Sequence, residues 1–400
     1  MSAPLVRGQF QRYKNRLFLF DILRLALTAF GGPQVHYTQF QKRLVEKRKY
    51  LNEDQLKEIN SLCSMLPGPT STQTITAVGY MRGGPTLAFF TLGIWILPGS
   101  LLMGAFAIIL SNLTQGHPKI EFLRYLQPMA SGFLIYAAIK FIQLFVNKNY
   151  HWVLLIVTAI VGIVIGSPWL IPVMLLIGGI SSSYINNRER LKAPEPLKNI
   201  RWDNLLIFLS VFVLAALIGV GTQNRFILIF ENLYRYGSII FGGGHVLIPL
   251  MFNQFVGYKQ YIEASDFLAG VGILQAIPGP VFSIAGFAGA MSTKDFGLLG
   301  QIIGWFMSSV AIFLPGILLI FFVYPIWDQL KTYAPVKNAI EGINAASAGL
   351  VVSSAYLLFL PVEVNEENML ILLATLFLLL STKVPSPIIV ISCIVLGILI

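Results

Sequence analysis

The sequence predicts an all-α, polytopic membrane protein with two inverted-topology repeats containing broken, half-length helices. Three observations carry this: a long motif written twice, an apolar composition, and helix breakers inside apolar stretches. Phe30-Gly31-Gly32-Pro33 is followed by Leu66-Pro67-Gly68-Pro69, and Phe241-Gly242-Gly243-Gly244 by Ile277-Pro278-Gly279-Pro280. Gly31 precedes Pro67 by 36 residues, and Gly242 precedes Pro278 by the same 36. The offset between copies, 211, also superposes Arg24 on Arg235, Val35 on Val246 and Tyr50 on Tyr261. A second offset, 217, aligns Leu97-Pro98-Gly99 with Leu314-Pro315-Gly316, and Gly132 with Gly349. Packed soluble helices suffer from both Gly and Pro. Repeating them inside apolar segments is the pattern of secondary transporters, whose interrupted helices build a site.

Composition agrees. The chain of 400 residues is 56% hydrophobic and 12% charged, with mean hydropathy +0.72. Lipid-facing helices accommodate such a surface, because each satisfies its own backbone polar groups. Two cysteines, Cys63 and Cys393, lie far apart in apolar surroundings and predict no structural disulfide. Arg7, Arg12, Lys14 and Arg16 precede the first apolar stretch without a small-residue cleavage site after it, so no removable signal peptide is read. The net charge of +10 arises beside apolar spans and lacks an interleaved aromatic platform. It therefore speaks for retention at the cytoplasmic face rather than for nucleic acid.

The elements follow in order. Residues 17–30 are apolar but, at about 21 Å as a helix, too short for a hydrocarbon core of about 30 Å. Pro33 disfavours helical geometry at Gly32 and ends that segment; Gln34 begins the next. Residues 51–66 read as an amphipathic helix opened by Asn52, Glu53 and Asp54 and stopped at Pro67-Gly68-Pro69. A short helix runs from Thr70 to about Met81. Spans follow at about 85–110, 120–146, 150–166 and 168–186. Asn187–Arg201, with two prolines and five basic residues, marks the boundary between copies. Residues 203–222 form one connecting span. Copy two replays the plan at 226–241, 263–277, 281–293, 295–324 and 334–360, and a final pair covers 367–382 and 385–400. The units are thus 1–186, a first repeat; 187–225, a cytoplasmic linker plus one connecting helix; and 226–400, a second repeat.

Equivalent loops set orientation. Residues 42–54 hold five basic and three acidic residues, whereas 253–265 hold only Lys259 and Glu263. The first loop prefers the cytoplasm and the second does not. One connecting span between the copies would invert them, giving a multi-pass protein of the cytoplasmic membrane with a cytoplasmic N-terminus.

The repeated breaks also suggest chemistry. Helices starting after Pro67-Gly68-Pro69 and Pro278-Gly279-Pro280 leave first-turn amides without an intrahelical acceptor, and such a terminus attracts anions. Thr70, Ser71, Thr72, Gln73 and Ser283 add neutral polar groups. Gly31, Gly32, Gly242, Gly243 and Gly244 would let backbone approach from the other side. Two such termini brought together suit a small tetrahedral dianion. The plainer alternative, a hairpin turn with hydroxyl caps, explains one copy better than two at matched spacing. Arg24 and Arg235 are the second symmetric pair. Arginine at mid-membrane costs about 2.5–3.5 kcal/mol on insertion scales, so it has a partner or a task. Asp21 and Glu231, one turn earlier, offer local ion pairs; the functional alternative is an anion ligand or a gate that exchanges carboxylate for substrate. His36 and His245, with Asp21 and Glu231, are the candidates for carrying a coupled proton, against the plainer role of hydrogen-bonding residues.

Enzyme signals are missing. The sequence has no Gly-Lys-Ser/Thr phosphate loop, no His-Glu-x-x-His, and no cysteine pair at metal spacing. No cofactor or metal is expected, and transport driven by an ion gradient is the reading that stands. An anion channel on the same architecture is its rival in another class.

Several of these residues resemble the chromate ion transporter family, whose long-chain members carry two homologous halves. In the first half they are Phe30-Gly31-Gly32-Pro33-Gln34-Val35-His36, Lys47-Arg48-Lys49-Tyr50-Leu51, Leu66-Pro67-Gly68-Pro69-Thr70-Ser71-Thr72-Gln73 and Leu97-Pro98. In the second they are Phe241-Gly242-Gly243-Gly244-His245-Val246, Phe267-Leu268-Ala269-Gly270 and Ile277-Pro278-Gly279-Pro280-Val281-Phe282-Ser283. The resemblance implies export of chromate from the cytoplasm by the proton-motive force, with sulfate a chemically similar candidate. Tyr50-Leu51 stands where the family commonly has Trp-Leu, and Ile277 where Leu or Val is usual. The expected partners are the oxyanion, membrane lipid and a second copy in a homodimer. Charge and shape alone specify only a small-oxyanion carrier.

Overall fold

The computed structural model describes residues 3–114, 123–165, 170–185, 202–241, 244–330, 334–382 and 384–399. These residues are predominantly helical, without strands. The expected linker 187–201 lies outside the described residues.

Helix α1 (Ala3–Thr28) ends at the Gly-Gly-Pro break, but it is longer than expected. It continues back through the basic N-terminal segment, because charged residues do not interrupt a helix as Gly or Pro would. Gly31 and Gly32, at φ +100° and +83°, turn the chain. Helix α2 (Pro33–Phe40) then starts with proline in its first turn. It runs on as π-helix through Lys47. Helix α3 (Glu53–Ser64) opens with a capping box between Asn52 and Gln55. Helix α4 (Thr70–Thr114) is broken at Gly83-Gly84, whose backbone is non-helical, so a short helix and a long span follow one another as expected. Helices α5 (Leu126–Phe145), α6 (Asn149–Ile165) and α7 (Leu170–Ile185) complete the first copy.

The connecting helix α8 (Trp202–Thr222) leads to copy two: α9 (Arg225–Ile239), α10 (Gly244–Met251), α11 (Ala264–Leu274), α12 (Ile284–Ser292) and α13 (Gly297–Val323). A short α14 (Trp327–Leu330) precedes α15 (Ala334–Phe359), α16 (Glu366–Ser381) and α17 (Ser386–Leu399). Among the described residues, five segments are long and apolar enough to cross a membrane: Thr70–Leu113, Leu126–Phe145, Trp202–Thr222, Lys294–Ile326 and Asn338–Phe359.

Structure repeats where sequence does. A second π-helix at Phe252–Tyr258 lies 211 residues after the first at Gln41–Lys47. Each is followed by a left-handed residue, Lys49 and Gln260, both at φ 52°. Each turn is closed by the same bonds: Tyr50 N–H to Leu44 O (2.7 Å), and Tyr261 N–H to Phe255 O (2.8 Å). The copies also exchange partners. Helix α5 packs on α16, and its counterpart α15 packs on α6. A Cβ added at Gly132 of α5 would meet the Leu372 carbonyl at 3.0 Å and Thr375 Cβ at 3.1 Å. One added at Gly349 of α15 would meet the Leu155 carbonyl at 2.4 Å and Thr158 Cβ at 2.9 Å. Leu372 and Thr375 are 217 residues after Leu155 and Thr158, so these are one contact made twice. Ion pairs Arg124–Glu367 and Lys148–Glu341 span the same two helix pairs.

Candidate functional site

The two Pro-Gly-Pro turns meet the opposite copy's break. The Gly68 amide donates to the Ile240 carbonyl (2.7 Å), and the Gly279 amide donates to the Ala29 carbonyl (2.8 Å). Donors and acceptors are each 211 residues apart, so a local pseudo-twofold relates the two bonds. Both glycines are in backbone regions that side chains rarely adopt, at φ +118° and +112°. These two amides are therefore engaged, and the amides without an intrahelical acceptor are those of the first helical turns.

Helix α4 begins at Thr70, with the Gln73 amide on the Pro69 carbonyl (2.9 Å). Thr70, Ser71 and Thr72 occupy the first turn, whose amides have no acceptor within the helix. The Ser71 hydroxyl lies 3.0 Å from His36 Nδ1, and His36 Nε2 lies 3.2 Å from the Ala29 carbonyl. A carbonyl only accepts, so Nε2 carries the proton, and in the neutral ring Nδ1 accepts from Ser71. The Ala29 carbonyl thus joins His36 of copy one to Gly279 of copy two. The Thr72 hydroxyl accepts from Trp95 Nε1 at 3.1 Å, and Trp95 packs edge-on against His36. Gln73 donates to the Pro67 carbonyl (2.7 Å), but its buried Oε1 has no protein partner.

In copy two a 3-10 turn, Val281–Ser283, leads into α12. Ser283 is 1% exposed, and its hydroxyl, like Gln73 Oε1, has no protein partner. Buried polar groups in folded proteins are nearly always hydrogen-bonded; these two, among eleven buried side-chain atoms without a hydrogen-bond partner in the described residues, lie beside the two helix starts. The long spans of each copy approach closely here. A Cβ on Gly99 would lie 2.9 Å from both the Pro278 carbonyl and Ser283 Oγ, and one on Gly316 would lie 3.3 Å from Gln73 Nε2. Gly244 approaches equally closely, its Cβ position lying 2.2 Å from Val281. Gly242 and Gly243, and the side chain of His245, lie outside the described residues.

The symmetric arginines diverge. Arg235 is buried, with Nε 3.0 Å from Glu231 and a bond to the Asn232 carbonyl oxygen of the side chain, so the predicted local ion pair forms. Arg24 is exposed and stacks over Phe20 at 4.6 Å, without the predicted bond to Asp21. Asp21 faces the opposite, buried side of α1. There Arg43, Arg48 and Tyr50 take both carboxylate oxygens, the last two at 2.7 Å. Sequence proximity suggested the wrong arginine because these partners arrive from the π-helical hairpin. In that hairpin the Arg48 amide bonds the Arg43 carbonyl five residues back, and a π-turn brings i and i+5 to one side. An α-helical period does not bring Arg43 and Arg48 together, so sequence spacing alone points to neither of them, nor to Trp95, as site residues.

Comparison with known proteins adds a family. Residues 16–182 and 227–398 match the family described as Chromate transporter. An uncharacterized transporter of Methanocaldococcus jannaschii is 25% identical over 95% of this chain and 93% of its own. A chromate transport protein of Cupriavidus metallidurans is 22% identical over 96% of this chain and 93% of its own. One from Pseudomonas aeruginosa is 23% identical over 82% and 76%. No solved structure matches significantly.

Proposed function

This chain belongs to the chromate transporter family, and on that premise we propose that it exports chromate across the cytoplasmic membrane by secondary active transport coupled to protons. It is a multi-pass membrane protein of a transporter family, with homologues named for chromate transport. The observation that carries the proposal further is the crossing of the two Pro-Gly-Pro turns. Two helix starts from two copies lie there among buried hydroxyl and amide groups, two of which lack partners. The anion would accept from first-turn amides, from Ser283, and from Ser71 once a second proton on His36 lets Nδ1 donate to the Ser71 oxygen and frees that hydroxyl's own proton; Arg235 would supply positive charge from the adjoining α9. Gln73 Oε1 can only accept, so it suits a protonated oxyanion or a water carried with one. His36, bonded at once to Ser71 and to the crossing, is placed to change proton load with anion occupancy. In this reading the copies are inverted in the membrane, the N-terminus is cytoplasmic, and alternating access rocks one copy against the other.

The test is radiolabelled chromate flux in proteoliposomes, with and without an imposed pH gradient and excess sulfate. Gradient-driven accumulation of chromate is expected, with sulfate competing for the same site. Gradient-driven carriage of labelled sulfate itself would widen the substrate to oxyanions generally, and flux indifferent to the gradient and without exchange would make the protein a channel.

A further inference from the structure

We propose that the cluster around Asp21 is a second oxyanion site, in which the Asp21 carboxylate occupies the place of a tetrahedral dianion and exchanges with it. This rests on the reading of the chain as an oxyanion carrier and assigns a gate on the path to the crossing.

Asp21 is fully buried and accepts four hydrogen bonds. Arg43 gives Nε (3.0 Å) and Nη2, Arg48 gives Nη2 (3.2 Å) and Tyr50 gives its hydroxyl (2.7 Å), while Arg48 Nε adds an ionic contact at 2.7 Å. Two guanidinium forks and a phenol are the donors that an oxyanion takes. The carboxylate is thus held as a substrate would be. Approach is open, because the Arg43 and Arg48 side chains are 22% and 38% exposed. A third guanidinium adjoins: Arg82 lies over the Tyr50 ring at 4.3 Å and donates to its carbonyl, while its buried Nε has no partner. Three cations against one carboxylate leave the cluster short of negative charge.

The second copy is an internal control. At the positions of Asp21, Arg43 and Arg48 it carries Asn232, Gln254 and Lys259. Yet it builds the same π-helix, left-handed residue and closing bonds. The backbone therefore does not need the ions. Preference for basic residues at the cytoplasmic face accounts for the arginines, but not for a carboxylate fully buried among them. Exchange accounts for both: an arriving dianion takes the arginines, and Asp21 is released to move α1 relative to the hairpin.

Sulfate, which undergoes no redox chemistry here, is the probe. Equilibrium binding is measured on the full chain in nanodiscs of zwitterionic lipid. Wild type is expected to hold one sulfate per chain tightly. Asp21→Asn should hold two, the added site binding roughly tenfold or more tighter than sulfate competes in wild type, and Asp21→Asn/Arg48→Gln should return to one. A folded Asp21→Asn protein with unchanged stoichiometry and affinity overturns the proposal while leaving the crossing site standing. Absence of sulfate binding in wild type, with a gain in Asp21→Asn, counts instead against the carrier reading. Loss of the added site when anionic phospholipid is included would reassign the cluster to lipid headgroups and overturn it as a substrate site. If Asp21→Asn does not fold, wild type answers: sulfate, unlike chloride, should slow dicarbonyl modification of Arg48 severalfold, and equal rates would overturn the proposal.

Discussion

Gly279→Ala is expected to slow transport severely while leaving the chain inserted in the membrane. Gly279 holds φ +112° and gives its amide to the Ala29 carbonyl at 2.8 Å. An added Cβ would find room, its nearest neighbour being Gly99 Cα at 3.7 Å, so the penalty is backbone strain rather than collision. Strain of this kind costs about 1–3 kcal/mol. Relaxing it rotates the amide away from Ala29, and with it the acceptor that also orients His36. A loss of about tenfold or more in rate is expected, since each 1.4 kcal/mol misplaced in the transport cycle is a factor of ten. Gly68→Ala should behave alike, with an added contact of 3.0 Å to the side-chain Nε2 of Gln73. The readout is chromate flux per inserted protein. Wild-type flux from either variant would remove the crossing from the mechanism.

Arg235→Gln is expected to cost stability and transport together, and the double variant separates the two. The Arg235 and Glu231 side chains are 5% and 13% exposed. Removing the cation leaves a buried carboxylate uncompensated, at about 3–5 kcal/mol, which should appear as a clear fall in thermal midpoint in detergent. Glu231→Gln/Arg235→Gln removes both charges and should recover most of that midpoint. Transport should stay low in the double variant if Arg235 supplies charge to the anion. Recovery of both would reduce the pair to a structural ion pair.

Much of the fold was legible because Gly and Pro declare helix ends. The breaks at Gly31-Gly32, at Gly83-Gly84 and at both Pro-Gly-Pro turns fall where the residues place them. The start of α1 was not legible, because a basic run signals a membrane boundary without ending a helix. The π-helices were missed for a related reason: an α-helical period is blind to a register of five. That omission hid the partners of Asp21. At the crossing, the symmetric offsets pointed to the right turns. They could not show that Gly68 and Gly279 amides bond the opposite copy, which depends on how the copies interleave. Nor could they show that Arg24 and Arg235, equivalent in sequence, differ in burial.

The most direct test of the central claim is equilibrium sulfate binding to wild type and to Ser71→Ala/Ser283→Ala in the same nanodiscs. The Ser71 and Ser283 hydroxyls belong to the two helix starts and sit in different copies, so an anion held between them senses both. Binding weakened by roughly tenfold or more, as loss of two hydrogen bonds to a charged group implies, is the predicted result. Unchanged affinity in a folded double variant would place the anion elsewhere and contradict the account.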